Sequence, residues 1–352
     1  MLAIIVATCA VLYGVLCVFL HRFVWHTGQA VPHSALYTDA AGHSKKICFQ
    51  ALGGDLGTAV VAREIFATEV YMQHGIHVPA TGSPLILDIG CNIGLFSMYV
   101  MERNPDALVV AAEPIPYLRA LAESNTARYG QRVLVEPVGV AASAQSDVAF
   151  VVDPRITAGA SMFEADITRL WKDTSVCRQL SVVLRDNVRA LSLPATPFLR
   201  ISSLLRVPVL RWLVLTALSP FLVLFVGFLL LGPLQKSTVR CACVPLAQLL
   251  ARAAARMPDE AMRRRVLRGP IALVKVDVEG AEWEVLRGVT DAEWRRVEQI
   301  AVEVHDVEDR VRKVEQLLER QGFAEVHTTQ EDWDSHAVLH IKSVFARRRE
   351  AA

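Results

Sequence analysis

The stretch Leu85-Ile-Leu-Asp-Ile-Gly-Cys-Asn-Ile-Gly-Leu-Phe-Ser-Met-Tyr99 limits what this chain can fold into more than any other. Leu85 to Ile89 is a short apolar run, the turn-permitting residues Gly90, Asn92 and Gly94 follow it at once, and a helical pattern starts near Leu95. Strand, tight turn and helix in that order predict a ligand-binding loop. Glycine lets the backbone approach a bound group, and a helix start presents unpaired N–H groups. Asp88, at the strand end, is placed to accept a hydrogen bond from a cationic or hydroxylated ligand. A second acid closes the next apolar strand, Val109-Val-Ala-Ala-Glu113. That is about the separation expected of a carboxylate gripping ribose hydroxyls.

Around this loop the pattern alternates. Strands are predicted at Ile86 to Ile89, Ala107 to Ala112 and Val133 to Val140, with helices at Leu95 to Glu102 and Tyr117 to Arg128. Such alternation implies a parallel sheet covered on both faces, with its ligand outside the strand C-termini at the topological switch point. A helix is expected from Pro245 to Ala255, and the sheet then resumes with a strand at Ile271 to Val276. A helix begins at Trp283 to Leu286, and another strand runs from Ile300 to Val304. Val307, Val311, Val314, Leu317 and Leu318 mark one face of a helix stopped by Gly322, and Phe323 to Val326 with Ala337 to Ile341 would close the sheet. Residues 27–83 read as a lead-in with one amphipathic helix inside Asp55 to Gln73, and 347–352 as a basic, flexible tail.

Two apolar runs account for much of the 53% hydrophobic fraction. Residues 2–20 carry no charge and are long enough to cross a bilayer. No Lys or Arg precedes Arg22, which favours an uncleaved anchor over residues 1–26 rather than a signal peptide. Arg22, lying after the run, leans the following chain towards the cytosol. The second run, Trp212 to Leu234, is charge-free over 23 residues within an apolar segment 207–234 of a predicted insertion, 164–238. Both flanks belong to one predicted sheet, which cannot lie half on each side of a membrane. Positive residues flank it on both sides (Arg200, Arg206 and Arg211 before, Lys236 and Arg240 after), and Pro220 interrupts it. Two full crossings would need about 40 residues. The expectation is therefore a membrane-dipping or in-plane hairpin; the other reading is a buried core helix pair. The basic segment Arg263-Arg-Arg265 with Arg268 suits anionic headgroups as well as a solvated face.

A formal net charge of +1 excludes an overall field of the kind that binds nucleic acid. The seven cysteines have no zinc spacing beyond the lone Cys241-Ala-Cys243, which reads as small buried strand residues. A reducing, cytosol-facing domain is the expectation.

A second acidic stretch is Val274-Lys-Val-Asp-Val-Glu-Gly-Ala-Glu-Trp-Glu-Val-Leu-Arg-Gly288. Asp277, Glu279 and Glu282 follow a strand end and flank Gly280. In a doubly wound order this strand neighbours the first, and its acids face the crevice of Gly90 to Gly94. Carboxylates also suit a helix start, which accounts for Glu282. It accounts less well for three acids that repel one another within one turn. A dinucleotide fingerprint is not met, because Gly90-x-Asn92-x-Gly94 has no second close-approach glycine.

These residues resemble the FkbM-like methyltransferases, which use S-adenosylmethionine. The matching positions are Leu87-Asp-Ile-Gly-Cys-Asn-Ile-Gly-Leu-Phe-Ser97, Ala112-Glu-Pro114, Val274 to Glu282 with Val285-Leu-Arg-Gly288, and Ile300-Ala-Val-Glu-Val-His305. The resemblance covers about 84–163 and 239–345, the two parts of the methyltransferase domain (the second extending to 346), and neither apolar run. The family's usual Asp in the short segment before the acidic strand is Ala247 here.

The resemblance implies an α/β class I methyltransferase fold, Rossmann-like and doubly wound, with a mostly parallel seven-stranded sheet and one reversed strand near its edge. It implies S-adenosylmethionine as cofactor, held by Asp88, Gly90, Asn92, Gly94 and Glu113. It further implies methyl transfer to a hydroxyl, as on the sugars and polyketides that similar family members modify, and the predicted membrane anchor would suit a lipid-linked acceptor. A hydroxyl needs a general base. Asp277 is the first candidate, with Glu279, Glu303 and His305 behind it. No essential metal is expected, although Asp277, Glu279 and Glu303 offer oxygen ligands. The rival reading is a membrane-bound scaffold that keeps the fold without turnover.

Overall fold

The computed structural model describes residues 29–38, 42–53, 55, 57–152, 237–330 and 340–349. The predicted anchor, 1–26, and the apolar segment 207–234 lie outside them. Among the described residues no helix is long and apolar enough to cross a membrane.

The lead-in holds an antiparallel hairpin, β1 (Ala30–Thr38) and β2 (Ser44–Leu52), then α1 (Thr58–Phe66). The expected helix over Asp55 to Gln73 is thus cut short. Glu69 and His74 take positive φ, so the chain turns twice after α1, and Tyr71 reaches the central sheet. Next come β3 (Leu85–Ile89), α2 (Leu95–Arg103), β4 (Leu108–Ala112), α3 (Pro116–Thr126) and β5 (Val133–Glu136). The strand expected to run to Val140 breaks after Glu136, because Pro137 cannot donate to a ladder. Its remainder, β6 (Gly139–Val140), joins a small separate sheet with β7 (Gln145–Val152) and β8 (Ser237–Val244), in the order β6-β8-β7. Cys241 and Cys243 are buried residues of β8. Antiparallel pairing sets Val152 opposite Ser237, so the intervening segment leaves and returns at adjacent points. Ser237 and Thr238 therefore belong to this sheet and not to the insertion.

After β8 the chain forms α4 (Leu246–Ala255), α5 (Glu260–Arg268), β9 (Ile271–Val276), α6 (Glu282–Arg287), α7 (Asp291–Trp294), β10 (Gln299–His305), α8 (Arg310–Arg320), β11 (Glu325–Thr329) and β12 (Ile341–Arg347). The central sheet has seven strands in the order β11-β12-β10-β9-β3-β4-β5. Its pairs from β10 through β5 are parallel, and β12 runs antiparallel to both neighbours. This is the doubly wound sheet, with one reversed strand near its edge, that the resemblance implies. The last strand starts at Ile341, where the expected one ends, because pairing with β10 buries Val344 opposite Val302. The tail is not free at its start. Arg347 pairs with Glu325, and Arg348 donates to the carbonyls of Trp294, Val297 and Gln321 and lies 4.6 Å from the Phe323 ring centre.

Side-chain alternation divides the core in two. Ile86, Val109, Val135 and Leu273 pack with α1, α2 and α3, whereas Leu87, Val110, Val274 and Val302 pack with α4 to α8. Asp88, Lys275, Glu303 and His305 share the register of the first set, so they lie on the face that α1 to α3 cover. The hairpin joins that face through Gln50, whose N–H donates to Asn125 Oδ1 at 2.6 Å.

Two contacts fix the loops at the strand ends. Gly90, at φ +79°, lies against the β9 strand end, where an added Cβ would meet the Asp277 carbonyl oxygen at 1.8 Å. Glu282, fully buried, receives the Gly280 N–H at 2.6 Å and Arg310 Nη1 at 2.9 Å and lies 3.0 Å from His305 Nδ1. Burial pushes its carboxyl up, but His305, Arg310 and the Gly280 N–H outweigh this and hold it below the ordinary value.

Gly90→Ala is expected to destabilise the fold by ~2–4 kcal/mol, since it combines left-handed strain with backbone overlap. A urea midpoint unchanged from wild type would refute the close approach. Glu282→Ala removes the buried carboxylate that His305 and Arg310 share, and should cost about 3–5 kcal/mol in the same assay.

Candidate active site

β3 lies between β4 and β9, so the chain reverses its winding beside β3 and opens a crevice at the C-terminal strand ends. Each of these strands, and β10 beside them, delivers polar groups there. From β3 come the 90–94 loop and α2, whose N-cap Gly94 stands at φ +84° and adds no side-chain cap. The loop is tied down by the Gly90 and Cys91 N–H groups, both donating to the Ala112 carbonyl at 3.0 Å. Asn92 takes φ +50°, and its side chain accepts from the Ile93 N–H at 2.7 Å.

From β4 comes Glu113, 4% exposed. One carboxylate oxygen accepts the Asn92 N–H at 2.9 Å and the other the Ile115 N–H at 3.0 Å. Burial pushes its carboxyl up to about 7, against the pull of those two N–H groups and Lys275. A carboxylate has about four acceptor directions, so two remain for hydroxyl donors.

Asp88 is placed differently from its expected role. It is fully buried, accepts from Ser97 Oγ at 2.7 Å and lies 3.4 Å from Lys275 Nζ. It braces the loop from behind and does not face the crevice. Lys275 also donates to the Gly90 carbonyl at 2.7 Å and lies 3.3 Å from Asp277. Burial lowers the Lys275 pKa, but Asp277 and Asp88 outweigh it and drive the value up, so this ammonium is a fixed positive charge and not a base.

β9 and β10 supply the acids. Asp277, Glu279 and Glu303 come together, each offering an oxygen within 4.8 Å of the others'. Tyr71 donates to Asp277 at 2.9 Å, and its ring lies 5.4 Å from Lys275 Nζ. Burial and the facing carboxylate of Asp277 raise the Tyr71 hydroxyl well above its usual range, which keeps it a donor. His305, 1% exposed, has Glu282 at 3.0 Å on Nδ1 and Glu279 at 3.3 Å on Nε2. Burial lowers its pKa, but the two carboxylates raise it further, well above the ordinary histidine value. His305 is therefore a buried imidazolium and a poor general base.

The structure brings all four expected catalytic candidates to one crevice, with Gly90, Asn92, Gly94 and Glu113 around the neighbouring loop. Sequence reasoning missed Tyr71, Lys275, Glu282 as a brace, and Arg310. Lys275 had a signal, as the single charge inside a fully buried strand. Tyr71 had none, because its partner is 206 residues away. Ala247 is exposed on the first turn of α4.

The methyltransferase FkbM domain family matches residues 253–324, which hold β9, β10 and the acids between them. The 31-O-demethyl-FK506 methyltransferase FkbM of Streptomyces tacrolimicus is 27% identical over 293 residues, 81% of this chain and 88% of that protein. Methyltransferase sdnD of Sordaria araneosa is 25% identical over 285 residues, 80% of this chain and 88% of its own. The AMB antimetabolite synthetase AmbE of Pseudomonas aeruginosa is 28% identical over 278 residues, 76% of this chain, which spans only 10% of that protein's length. By its β9–β10 sequence and its curated relatives, the chain is similar to the FkbM-like methyltransferases.

Proposed function

We propose that the protein is an S-adenosylmethionine-dependent O-methyltransferase acting on a hydroxyl of a sugar, lipid-linked or small-molecule acceptor at a membrane surface. The observation that carries this reading is the placement of Glu113 and Asp277 on strands either side of the glycine loop. One acid is suited to ribose hydroxyls and the other to the acceptor. The donor set fits such a cofactor: a buried carboxylate with acceptor capacity left, beside a turn whose backbone lies open to close approach.

S-adenosylmethionine, when bound, supplies a sulfonium-activated methyl group, so the protein's task is alignment and proton removal. The 90–94 loop and Glu113 would bind and orient the cofactor. Asp277, held by Tyr71 and Lys275, would take the hydroxyl proton as the oxygen bonds the methyl carbon and the carbon–sulfur bond breaks. The proton on the Asp277 carboxyl would balance the positive charge that the cofactor loses on giving up its methyl group. The apolar runs 2–20 and 212–234, with the basic α5, favour a membrane-anchored protein with its catalytic domain on the cytosolic side. Membrane lipids and a membrane-delivered hydroxyl compound are then the natural partners, and nucleic acid is not.

Calorimetry on the full chain tests the cofactor. Glu113→Ala should weaken S-adenosylmethionine binding by about 1–3 kcal/mol. Hydroxyl donors favour the ionised carboxylate, so binding should weaken as pH falls below about 7 and level off above it. Glu113→Gln should remove that part of the pH dependence. A folded protein that binds no cofactor would sink the enzyme reading and leave the scaffold in its place. Asp277→Asn should keep cofactor affinity and lower labelled-methyl transfer to hydroxyl acceptors, from macrolides to sugars, by ~10²–10⁴. Full transfer by that variant would move the base elsewhere.

A further inference from the structure

We propose that Asp277, Glu279 and Glu303 form a binding site for one hard divalent cation, of the Mg²⁺ or Mn²⁺ class, at the acceptor side of the crevice. The site rests on geometry that the methyl-transfer reading does not require. Carboxylate oxygens of the three residues lie within 4.8 Å of one another. Oxygens on opposite sides of a hard divalent ion stand about 4–5 Å apart, at bond lengths of roughly 2.0–2.6 Å. The donors are all carboxylates, with no thiolate or imidazole among them, which selects a hard ion over zinc or copper.

Glu303 supplies an independent observation. It is 8% exposed and has no hydrogen-bond or ion-pair partner among the described residues, yet its carboxylate points at Asp277 and Glu279. The nearby cations are already shared. Lys275 lies between Asp88 and Asp277, and His305 between Glu279 and Glu282. Glu64 on α1 adds a further negative charge near Glu303, opposed only by the already shared His305. A buried carboxyl among three others needs either a proton or a metal ion to neutralise it. Only the ion also uses the convergence of the three side chains. Three protein oxygens leave about three positions of an octahedral ion for water or acceptor oxygens. The inference rests on the proposed function only in naming the acceptor as the ligand of those positions. It departs from the expectation, drawn from the sequence, that no metal is essential.

Titrating Mn²⁺ into the metal-stripped full chain, with the free-ion electron paramagnetic resonance signal as readout, tests the site with and without S-adenosylmethionine. One ion per chain is expected, displaced by excess Mg²⁺. Glu303→Gln and Glu279→Gln should each weaken it at least tenfold, with circular dichroism confirming that both variants fold. Glu113→Gln should keep the ion while losing cofactor affinity, which separates the two sites. Absence of stoichiometric Mn²⁺ binding by folded wild type overturns the proposal, even if the cofactor binds. Binding that is equal in the Glu303 and Glu279 variants also overturns it, because the ion then lies elsewhere. Mn²⁺ binding by a chain that fails to bind S-adenosylmethionine supports the cation site and counts against the cofactor reading alone.

Discussion

The Lys275 ammonium is the interaction on which the crevice depends. It is 3% exposed and reaches Asp88 behind the glycine loop, the Gly90 carbonyl within it and Asp277 on the neighbouring strand. Register explains why one side chain can do this. Asp88 and Lys275 are direct partners across the β3–β9 ladder, on the same face of the sheet. A buried charge with three oxygen neighbours is held firmly, and removing any one of them leaves the others poorly compensated. The glycine loop and the acid-bearing strand are therefore tied to each other through one side chain.

Most of the sheet was legible in the sequence, because its strands are fully buried and read as apolar runs closed by glycine or acid. The β3 loop, Glu113 and the acidic turn after β9 were legible for the same reason, as chemistry placed at strand ends. Three things were not. The β1–β2 hairpin alternates exposed and half-buried residues without a strong apolar stripe. Tyr71 enters the site because α1 stops early at a positive-φ turn, which leaves no periodic mark. Asp88 looked like a ligand group because the sequence reports its place at a strand end but not that Ser97 and Lys275 enclose it. Strand ends were misplaced at β5, β11 and β12, where Pro137 or pairing across the sheet, and not local pattern, sets them.

The chemistry of the site follows from how charge is divided across one face. His305 and Arg310 neutralise Glu282 and part of Glu279, and these groups brace the turn that carries Gly280. Lys275 serves the glycine loop. Asp277 and Glu279 are held in place by groups that are themselves immobilised, so they need little reorganisation to meet a polar ligand. Preorganisation of this kind comes from β9 and β10 being central strands, buried on both faces.

The small sheet bears on how the chain can change without losing its fold. Val152 and Ser237 are paired neighbours, so the 84 residues between them close a loop whose two ends are only one strand spacing apart. Closing a loop costs free energy that grows only with the logarithm of its length. The length of chain between Val152 and Ser237 can therefore change at little cost while β7 and β8 keep their register. Changes in the length of that connection are thus uncoupled from the strand ends of the central sheet.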